Sequence, residues 1–159
     1  MGILYLSDRA RERIEPTLVG WISVPEPEDY SNFDQPWNRG ALAWETGTGP
    51  TALIHGLEAS LRLLTDTGVG RIALYLEQLT DYLCEQLAGR DYQVVSSRSA
   101  GEKSQIVCIC HKSGRDPMSL YSHLKQRNII TAPRGRRLRV APHVYNTMAE
   151  IEELVKGLP

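Results

Sequence analysis

The sequence has 159 residues, of which 42% are apolar and 23% charged, so it is long enough for a single folded domain and lacks the apolar depletion of disordered chains. The formal net charge of -1 argues against a general affinity for nucleic acid or anionic membrane. No run of about 18 apolar residues is present to span a bilayer, and three cysteines without disulfide spacing indicate reduced thiols in a cytoplasmic protein.

Residues 1–50 contain little periodic pattern. A short apolar run from Met1 to Leu6 predicts a buried strand that belongs to a larger sheet. Between Pro25 and Gly40 lie three prolines, four acidic residues and three aromatic residues without a sustained period. This composition predicts a long ordered loop, and such loops usually link elements or carry function.

Two amphipathic helices are predicted next. Pro50 suits the first turn of a helix, and the apolar stripe that follows it ends near Gly68. A second stripe ends at Gly89, where a left-handed helix cap is favoured. We expect the two helices to carry much of the core through these stripes: Leu53, Ile54, Leu57, Leu61 and Leu64 in the first helix, and Ile72, Tyr75, Leu76, Leu79, Tyr82, Leu83 and Leu87 in the second.

A change of period after the second helix predicts a hairpin. Tyr92–Ser96 and Gln105–Cys110 are β-branched runs separated by a polar turn. Asp116 followed by Pro117 is typical of a helix N-terminus, because the carboxylate caps the helix and proline is tolerated at its first position. A third helix is therefore predicted after the hairpin.

The last part of the chain predicts a second strand pair and a final helix. Asn128–Thr131 and Arg137–Val140 form the predicted strands, joined by a tight turn around Pro133 and Gly135. Thr147–Glu150 matches a capping box, which starts the final helix. The order of elements predicts an α+β fold in which helices pack on one face of a mainly antiparallel sheet.

Gly47 and Thr48 precede the first long helix and form a candidate anion site. Free N–H groups and the helix dipole point at a ligand in this position, and Thr48 adds a hydroxyl donor. An ordinary glycine turn with a threonine near the cap explains the same residues, and short Gly-Thr stretches before helices are common. The motif alone therefore favours the ordinary turn and leaves the anion site as the alternative.

Arg137 and Arg139 alternate with apolar residues, so on a strand both guanidiniums leave the face opposite the core. A planar guanidinium suits a substrate carboxylate, because two parallel hydrogen bonds fix its orientation. Exposed strand arginines are also common as solvated surface. Together with Arg134 and Arg136 these residues make a small basic patch, which lacks the aromatic residues typical of nucleic-acid binding.

Metal binding and triad chemistry are not predicted. Cys108 and Cys110 are interpreted as buried strand cysteines, since a zinc site needs about four ligands and no second pair has suitable spacing. His123 and His143 are scattered in sequence and define no nucleophilic triad. His55 on the first helix is predicted to be packed or capped.

Three segments match a known pattern in order and separation: Gly2–Tyr5, Trp44–Thr48 with the helix Gly56–Leu61, and Leu138–Thr147. Together they resemble the C-terminal half of class V aminotransferases, a family of pyridoxal-phosphate enzymes that includes cysteine desulfurases, kynureninase and isopenicillin-N-epimerase-like proteins. The resemblance implies the small C-terminal domain of fold-type I pyridoxal-phosphate transferases for residues 51–159. Residues 1–50 would be a remnant of the large-domain end with an interface loop.

The resemblance also implies site residues, a cofactor and partners. Thr48, with Gly47, is similar to the motif that reaches the pyridoxal-phosphate phosphate of the neighbouring subunit, and Arg139 is similar to the arginine that binds the substrate carboxylate. These roles agree with the helix-terminus and strand-face arguments, so function is favoured at both positions. A homo-oligomer and a small amino-acid substrate are implied, and no nucleic acid or membrane.

The lysine of the family is missing at the matching place. It normally sits a few residues before the Gly-Ile-Leu-Tyr type segment, whereas here the first lysine is Lys103. Lys103, Lys112, Lys125 and Lys156 lie in turn or helix contexts that do not match. We therefore expect no catalytic residue in this chain and no covalently bound pyridoxal phosphate.

Two hypotheses for function follow. The first is a C-terminal fragment of a class V enzyme that acts on amino acids, inactive alone because the Schiff-base lysine and the large domain are absent. The second is a stand-alone, non-catalytic binding or dimerisation module. The short link from Ile130 to Arg139 has no cysteine, whereas desulfurase-like members carry a longer loop with a persulfide-forming thiol. Sulfur transfer is therefore not expected even for the parent enzyme.

Overall fold

A four-stranded antiparallel sheet organises the second half of the chain in the computed structural model, which describes residues 2–159. The strand order is β1-β2-β4-β3, with every neighbouring pair antiparallel. The strands are β1 Tyr92–Val94, β2 Val107–His111, β3 Ala132–Arg134 and β4 Arg137–Val140. The predicted α+β class with a mainly antiparallel sheet is confirmed.

Five α-helices accompany the sheet in residues 2–159, and their ends follow the capping signals of the sequence. Asp116 caps the N-terminus of the fourth helix, and Thr147 with Glu150 forms a complete capping box at the fifth. Gly89, just past the third helix, has a φ of 80°, as the predicted left-handed cap requires. The helices are α1 Asp8–Arg11, α2 Thr51–Thr67, α3 Val69–Leu87, α4 Pro117–Lys125 and α5 Met148–Gly157, with a 3-10 helix at Gly40–Trp44.

The chain divides into two compact units, one ending at Leu63 and the other spanning Leu64–Pro159. The second unit holds a continuous apolar core built from α3, α4, α5 and one face of the sheet. Its fully buried members include Leu79 and Leu83 of α3 and Ile109 of β2. None of the helices in residues 2–159 is long and apolar enough to cross a membrane.

The strand predicted for Met1–Leu6 is wrong within the described residues, and Met1 lies outside them. Gly2–Leu6 forms no regular secondary structure, and Ile3, Leu4 and Tyr5 are exposed. An apolar run becomes a strand only when a neighbouring strand satisfies its backbone groups. The four strands of the sheet pair only with one another, so this segment has no such neighbour.

The first long helix is confirmed, but most of its predicted contribution to the core is wrong, since of its stripe only Leu64 packs against the core of the described residues. No residue of α2 is buried, and Leu53, Ile54 and Leu61 keep about half of their surface exposed. An apolar stripe shows which face of a helix prefers to leave water, but not whether a partner covers that face. The core is carried by α3, whose stripe is buried as predicted.

The strand predicted at Asn128–Thr131 lies a few residues further along the chain, at Ala132–Arg134. Asn128 has a φ of 60°, which is left-handed backbone that ends the turn after α4 and cannot belong to a strand. Pro133 is tolerated within β3 because β3 is an edge strand of the sheet. The turn to β4 is formed at Gly135, as predicted.

A charged network ties the β1–β2 connection to α3. The guanidinium of Arg98 donates to Asp81 at 2.6 Å and to Thr80 at 2.9 Å, and Lys103 Nζ lies 2.7 Å from Asp81 and 2.9 Å from Glu77. Hydrogen bonds from Lys103 and then Arg98 lower the pKa of Asp81 below its ordinary value. The connection is thus held by ionised partners.

Replacing Asp81 with asparagine is expected to lower stability at neutral pH and to lower it less in acid. Because the folded-state pKa of Asp81 is lowered, its contribution is complete above the unfolded pKa and fades as the pH falls through the folded value, below about pH 4. Asp81 keeps 37% of its side chain exposed, so we expect a loss of about 1 kcal/mol at most. Urea unfolding at neutral pH and near pH 3 measures it. Glu153→Gln, at an exposed pair, is the control; an equal loss at both pH values would contradict the assignment.

Candidate functional site

Arg139 is placed on the sheet face that looks away from the core. Along β4, Leu138 is fully buried and Val140 is 5% exposed, while Arg139 between them is half-buried on the opposite face. Its cross-strand partners are Cys108 on β2 and Ala132 on β3. The predicted alternation of β4 is therefore confirmed, and Arg139 stands between two neighbouring strands and not at the edge of the sheet.

The guanidinium of Arg139 has no partner in the described part of the chain. It forms neither a hydrogen bond nor an ion pair with residues 2–159, and its Nε is buried. A buried N–H without an acceptor costs about 1 to 3 kcal/mol, so an acceptor from outside is favoured there. A carboxylate is a suitable acceptor, because it accepts two parallel hydrogen bonds from a guanidinium.

Cys108 and Cys110 share the face of Arg139, so the prediction that they are buried is wrong. Val107 and Ile109, which alternate with them along β2, are fully buried in the core, and both cysteines are half-buried free thiols. All four residues are apolar, so the run has no alternation from which the sequence could show its core face. The pairing of Cys108 with Arg139 shows that Cys108 lies on the outer face of β2.

The Gly–Thr loop, Gly47–Thr48, lies immediately before α2, in the first unit. Thr48 is exposed, and its hydroxyl makes no hydrogen bond to the described residues. Helix α2 begins at Thr51, whose N–H and hydroxyl both donate to the carbonyl of Gly49, at 2.9 and 3.4 Å. Thr48 thus lies three residues before the start of a helix, and helix N-termini favour anions. Its role, like that of Arg139, stays a prediction.

The Gly–Thr loop is anchored by residues that the sequence analysis did not single out. Ser23 is fully buried; its hydroxyl donates to the carbonyl of Glu45 at 2.6 Å and accepts from the N–H of Gly20 at 2.9 Å. Asn38 donates its backbone N–H to the carbonyl of Ser23 at 2.7 Å. A side chain at Gly20 would collide with the carbonyl of Thr46. These residues lie in a region without period, so no sequence pattern marks them.

The four lysines of the sequence all lie in the second unit. Lys103 is paired with Glu77 and Asp81, and the Nζ of Lys112 donates to the carbonyl of Arg90 at 2.6 Å. The other two lysines lie on helices, Lys125 over the ring of Tyr121 and Lys156 close to Glu152 and Glu153. Lys112 directly follows β2, and the other three lysines lie outside the strands.

The histidines add no cluster of catalytic type. His55 was predicted to be packed or capped, but 75% of its side chain is exposed, because the face of α2 that carries it is open to water. His143 stacks on Tyr145 with ring centroids 4.9 Å apart, and its Nδ1 is buried without a partner among residues 2–159. Within these residues, no three His, Cys, Asp or Glu side chains converge on a metal position.

A sequence model of the family described as Aminotransferase class-V matches residues 1–154, nearly the whole chain. The chain belongs to the class-V aminotransferase family. Among curated proteins, this class-V chain is similar to the uncharacterized aminotransferase YcbU of Bacillus subtilis (strain 168), with 24% identity over 155 residues. The match covers 98% of this chain and 40% of YcbU, so the chain spans about two fifths of that relative's length.

Solved structures of cysteine-metabolising enzymes share the fold of this class-V chain. The apo cysteine desulfurase of Thermococcus onnurineus NA1 superposes with a TM-score of 0.80 at 24% identity, covering 97% of this chain and 42% of that one. The cysteine desulfurase CsdA of Escherichia coli has a TM-score of 0.80 at 20% identity, covering 96% and 40%. The cystine C-S lyase C-DES has a TM-score of 0.79 at 22% identity, with the same coverage.

The class-V family and these structural neighbours depend on pyridoxal phosphate. A variant of the lyase C-DES has been solved with glycine covalently linked to the cofactor. The unpartnered, partly buried guanidinium of Arg139 and the free hydroxyl of Thr48 are of the types that bind a carboxylate and a phosphate. The chemistry of Arg139 therefore fits the carboxylate of an amino acid, and that of Thr48 fits the phosphate of this cofactor.

Proposed function

We propose that this chain is the part of a class-V pyridoxal-phosphate enzyme that binds the carboxylate of an amino-acid substrate and contacts the cofactor phosphate. Arg139 is the carboxylate-binding residue, and Thr48 with Gly47 is the phosphate-contacting loop. The single observation that carries the proposal is the guanidinium of Arg139, half-buried on the outer sheet face without an acceptor among residues 2–159. Pyridoxal phosphate, when bound, supplies the electron sink for chemistry at the substrate Cα.

The local surroundings of Arg139 support an orienting role. Cys108 and Ala132 lie opposite Arg139 on the two neighbouring strands, and the Nε of Arg139 is buried, so the base of the guanidinium is held within the sheet surface. A confined planar group loses little conformational freedom on binding, so its hydrogen bonds contribute more to affinity. Arg139 would therefore orient the amino acid as well as pair with its negative charge.

The phosphate contact is supported by the structure of the Gly–Thr loop. Thr48 offers a hydroxyl donor beside the N-terminus of the 17-residue helix α2, whose dipole favours anions. The buried Ser23 holds the carbonyl of Glu45, two residues before Gly47, so the backbone that leads into the loop is anchored. A fixed donor binds phosphate at a lower entropic cost than a mobile one.

A simple titration tests the proposed function. The amide resonances of Arg139, Cys108 and Ala132 are followed while L-alanine is added at millimolar concentrations, where weak single-site ligands bind. We expect progressive shifts centred on these residues. Ethylamine, which keeps the amine and lacks the carboxylate, is the matched control. Equal shifts with ethylamine, or shifts confined to other surfaces, would remove the support for a carboxylate site.

The chain alone is proposed to be inactive, because each of its four lysines already has a partner: Lys103 and Lys156 lie beside carboxylates, Lys112 donates to a backbone carbonyl and Lys125 lies over a tyrosine ring. Incubation with pyridoxal phosphate followed by borohydride should leave no single lysine modified above the level of the others. Mass spectrometry of tryptic peptides measures this, with the borohydride-free sample as control. Stoichiometric modification of one lysine would contradict the proposed inactivity and identify the amine that the cofactor uses.

The second candidate function is a non-catalytic binding or dimerisation module, and the open apolar face of α2 favours it. Leu53, Ile54 and Leu61 are exposed on this helix, and exposed apolar patches are typical of association surfaces. A homo-oligomer is the expected form, and the three free cysteines support a cytoplasmic location. Sedimentation of the purified chain, together with the L-alanine titration, distinguishes the two candidate functions. An oligomer that shows no Arg139-dependent carboxylate binding would favour the module.

A further inference from the structure

A basic cleft of about 640 Å³ opens in the second unit, between the loop that precedes α4 and the β3–β4 turn. Its size falls within the range of roughly 300 to 1,000 Å³ that is usual for small-molecule sites. Four cationic side chains line it: Lys112, Arg115, Arg136 and Arg137. The acidic residue among its lining is Asp116, which is occupied as the N-cap of α4.

The cations of this cleft are not neutralised by the described chain. Arg115, Arg136 and Arg137 form no ion pair with residues 2–159, and Lys112 donates to a backbone carbonyl. Charges of one sign that line one cleft repel one another, and a bound anion lowers this repulsion. A concave surface with this charge therefore favours a small ligand that carries negative charge.

The cleft lies next to Arg139 along the outer face of the sheet. Arg137 precedes Arg139 by two residues on β4, and Cys110 follows Cys108 by two residues on β2, so both pairs share the outer face of the sheet. Arg137 and Cys110 line the cleft, whereas Arg139 and Cys108 face each other in the register. Residues two apart on a strand are about 7 Å apart, so the cleft begins one step from the proposed carboxylate site.

We propose that the substrate carries a second anionic group, a carboxylate or phosphate, which the basic cleft binds while Arg139 holds the α-carboxylate. The inference rests on the proposed function of Arg139. A substrate with a neutral side chain would leave the cations of the cleft unpaired. A substrate with an anionic side chain would place its α-carboxylate at Arg139 and its second anionic group near Arg137. The cleft thus selects the substrate class, and the residues that line it are specificity determinants.

Matched ligand pairs test the inference on the whole chain. The pairs are L-glutamate with L-glutamine and O-phospho-L-serine with L-serine, so each anionic ligand has a neutral counterpart. Binding is followed through the backbone amide resonances at positions 137 and 139 in the wild type, Arg139→Gln and the double variant Arg115→Gln/Arg137→Gln. Both substituted cleft residues are exposed, so the fold should be retained, and the core resonances report this directly.

We expect the wild type to bind at least one anionic ligand about tenfold more tightly than its neutral counterpart, which corresponds to one charge-assisted contact. The double variant should bind both members of each pair equally, and added salt should reduce the wild-type preference. A preference for glutamate alone would identify a dicarboxylate, and a preference for phosphoserine alone a phosphate ester. Either outcome supports the inference.

The two proposals fail in different ways. Equal binding within both pairs, with Arg139→Gln still abolishing it, would overturn the second-anion inference and leave the carboxylate site standing. A preference that persists in the double variant would also overturn it, because the cleft would not be its cause. Binding that Arg139→Gln leaves unchanged would remove the proposed function of Arg139, and this inference with it.

Discussion

Replacing Arg139 with glutamine should weaken binding of an amino-acid carboxylate about tenfold or more, because a charge-assisted bidentate contact is replaced by a neutral one. The substitution also removes the buried Nε that lacks an acceptor, so we expect the fold to be retained or slightly stabilised. The measurement is the titration with L-alanine, repeated on the variant. A loss of binding with unchanged unfolding separates a ligand role from a structural one.

Two further variants make this prediction specific. Arg139→Lys keeps the charge and loses the planar fork, so it should recover only part of the affinity. Arg62→Gln removes a guanidinium that is 70% exposed and paired with Glu58, so it should leave binding unchanged. If Arg62→Gln were as damaging as Arg139→Gln, general electrostatic attraction would explain the binding and the Arg139 site would be withdrawn.

Replacing Leu79 with alanine should destabilise the chain by about 2 to 5 kcal/mol, because it removes a fully buried side chain and leaves a cavity. Leu79 lies on α3, the helix whose apolar stripe is buried in the core of the second unit. A change of this size is a large share of the stability of a typical domain. Chemical unfolding measured by circular dichroism gives the difference.

Leu74 provides the matched control, since it lies on the same helix with 65% of its surface exposed. Leu74→Ala exchanges the same side chains without a cavity, so it should change stability by no more than about 0.5 kcal/mol. Equal losses at the two positions would mean that a helix-propensity effect dominates and that the described core is not the one that holds the protein together.

The sequence predicted those elements whose signals are local. The N-cap at Asp116, the capping box at Thr147, the left-handed residue at Gly89 and the buried stripe of α3 each depend on residues within a few positions, and each is confirmed. The alternation of β4 also placed Arg139 on the outer face, because a period of two is fixed by strand geometry.

The features that were predicted wrongly depend on distant partners. The apolar segment Gly2–Leu6 lacks a strand to pair with, and most of the stripe of α2 lacks a covering surface. The presence or absence of such a partner cannot be inferred from the residues of either segment. The core face of β2 was hidden because Cys108 and its neighbours are all apolar, and only the register with β4 reveals it. The missing acceptor at Arg139 is likewise a property of the folded surroundings.

The pairing of Cys108 with Arg139 limits how this segment of the chain can change in length. A one-residue insertion or deletion inside β4 would exchange its two faces, so that a guanidinium would enter the core and Leu138 would be turned to water. Changes in length are therefore tolerable at the turn around Gly135 and not in the strand that follows. Related chains that keep the arginine should differ in the length of that turn, whereas the length of β4 from Arg137 to Val140 should stay constant.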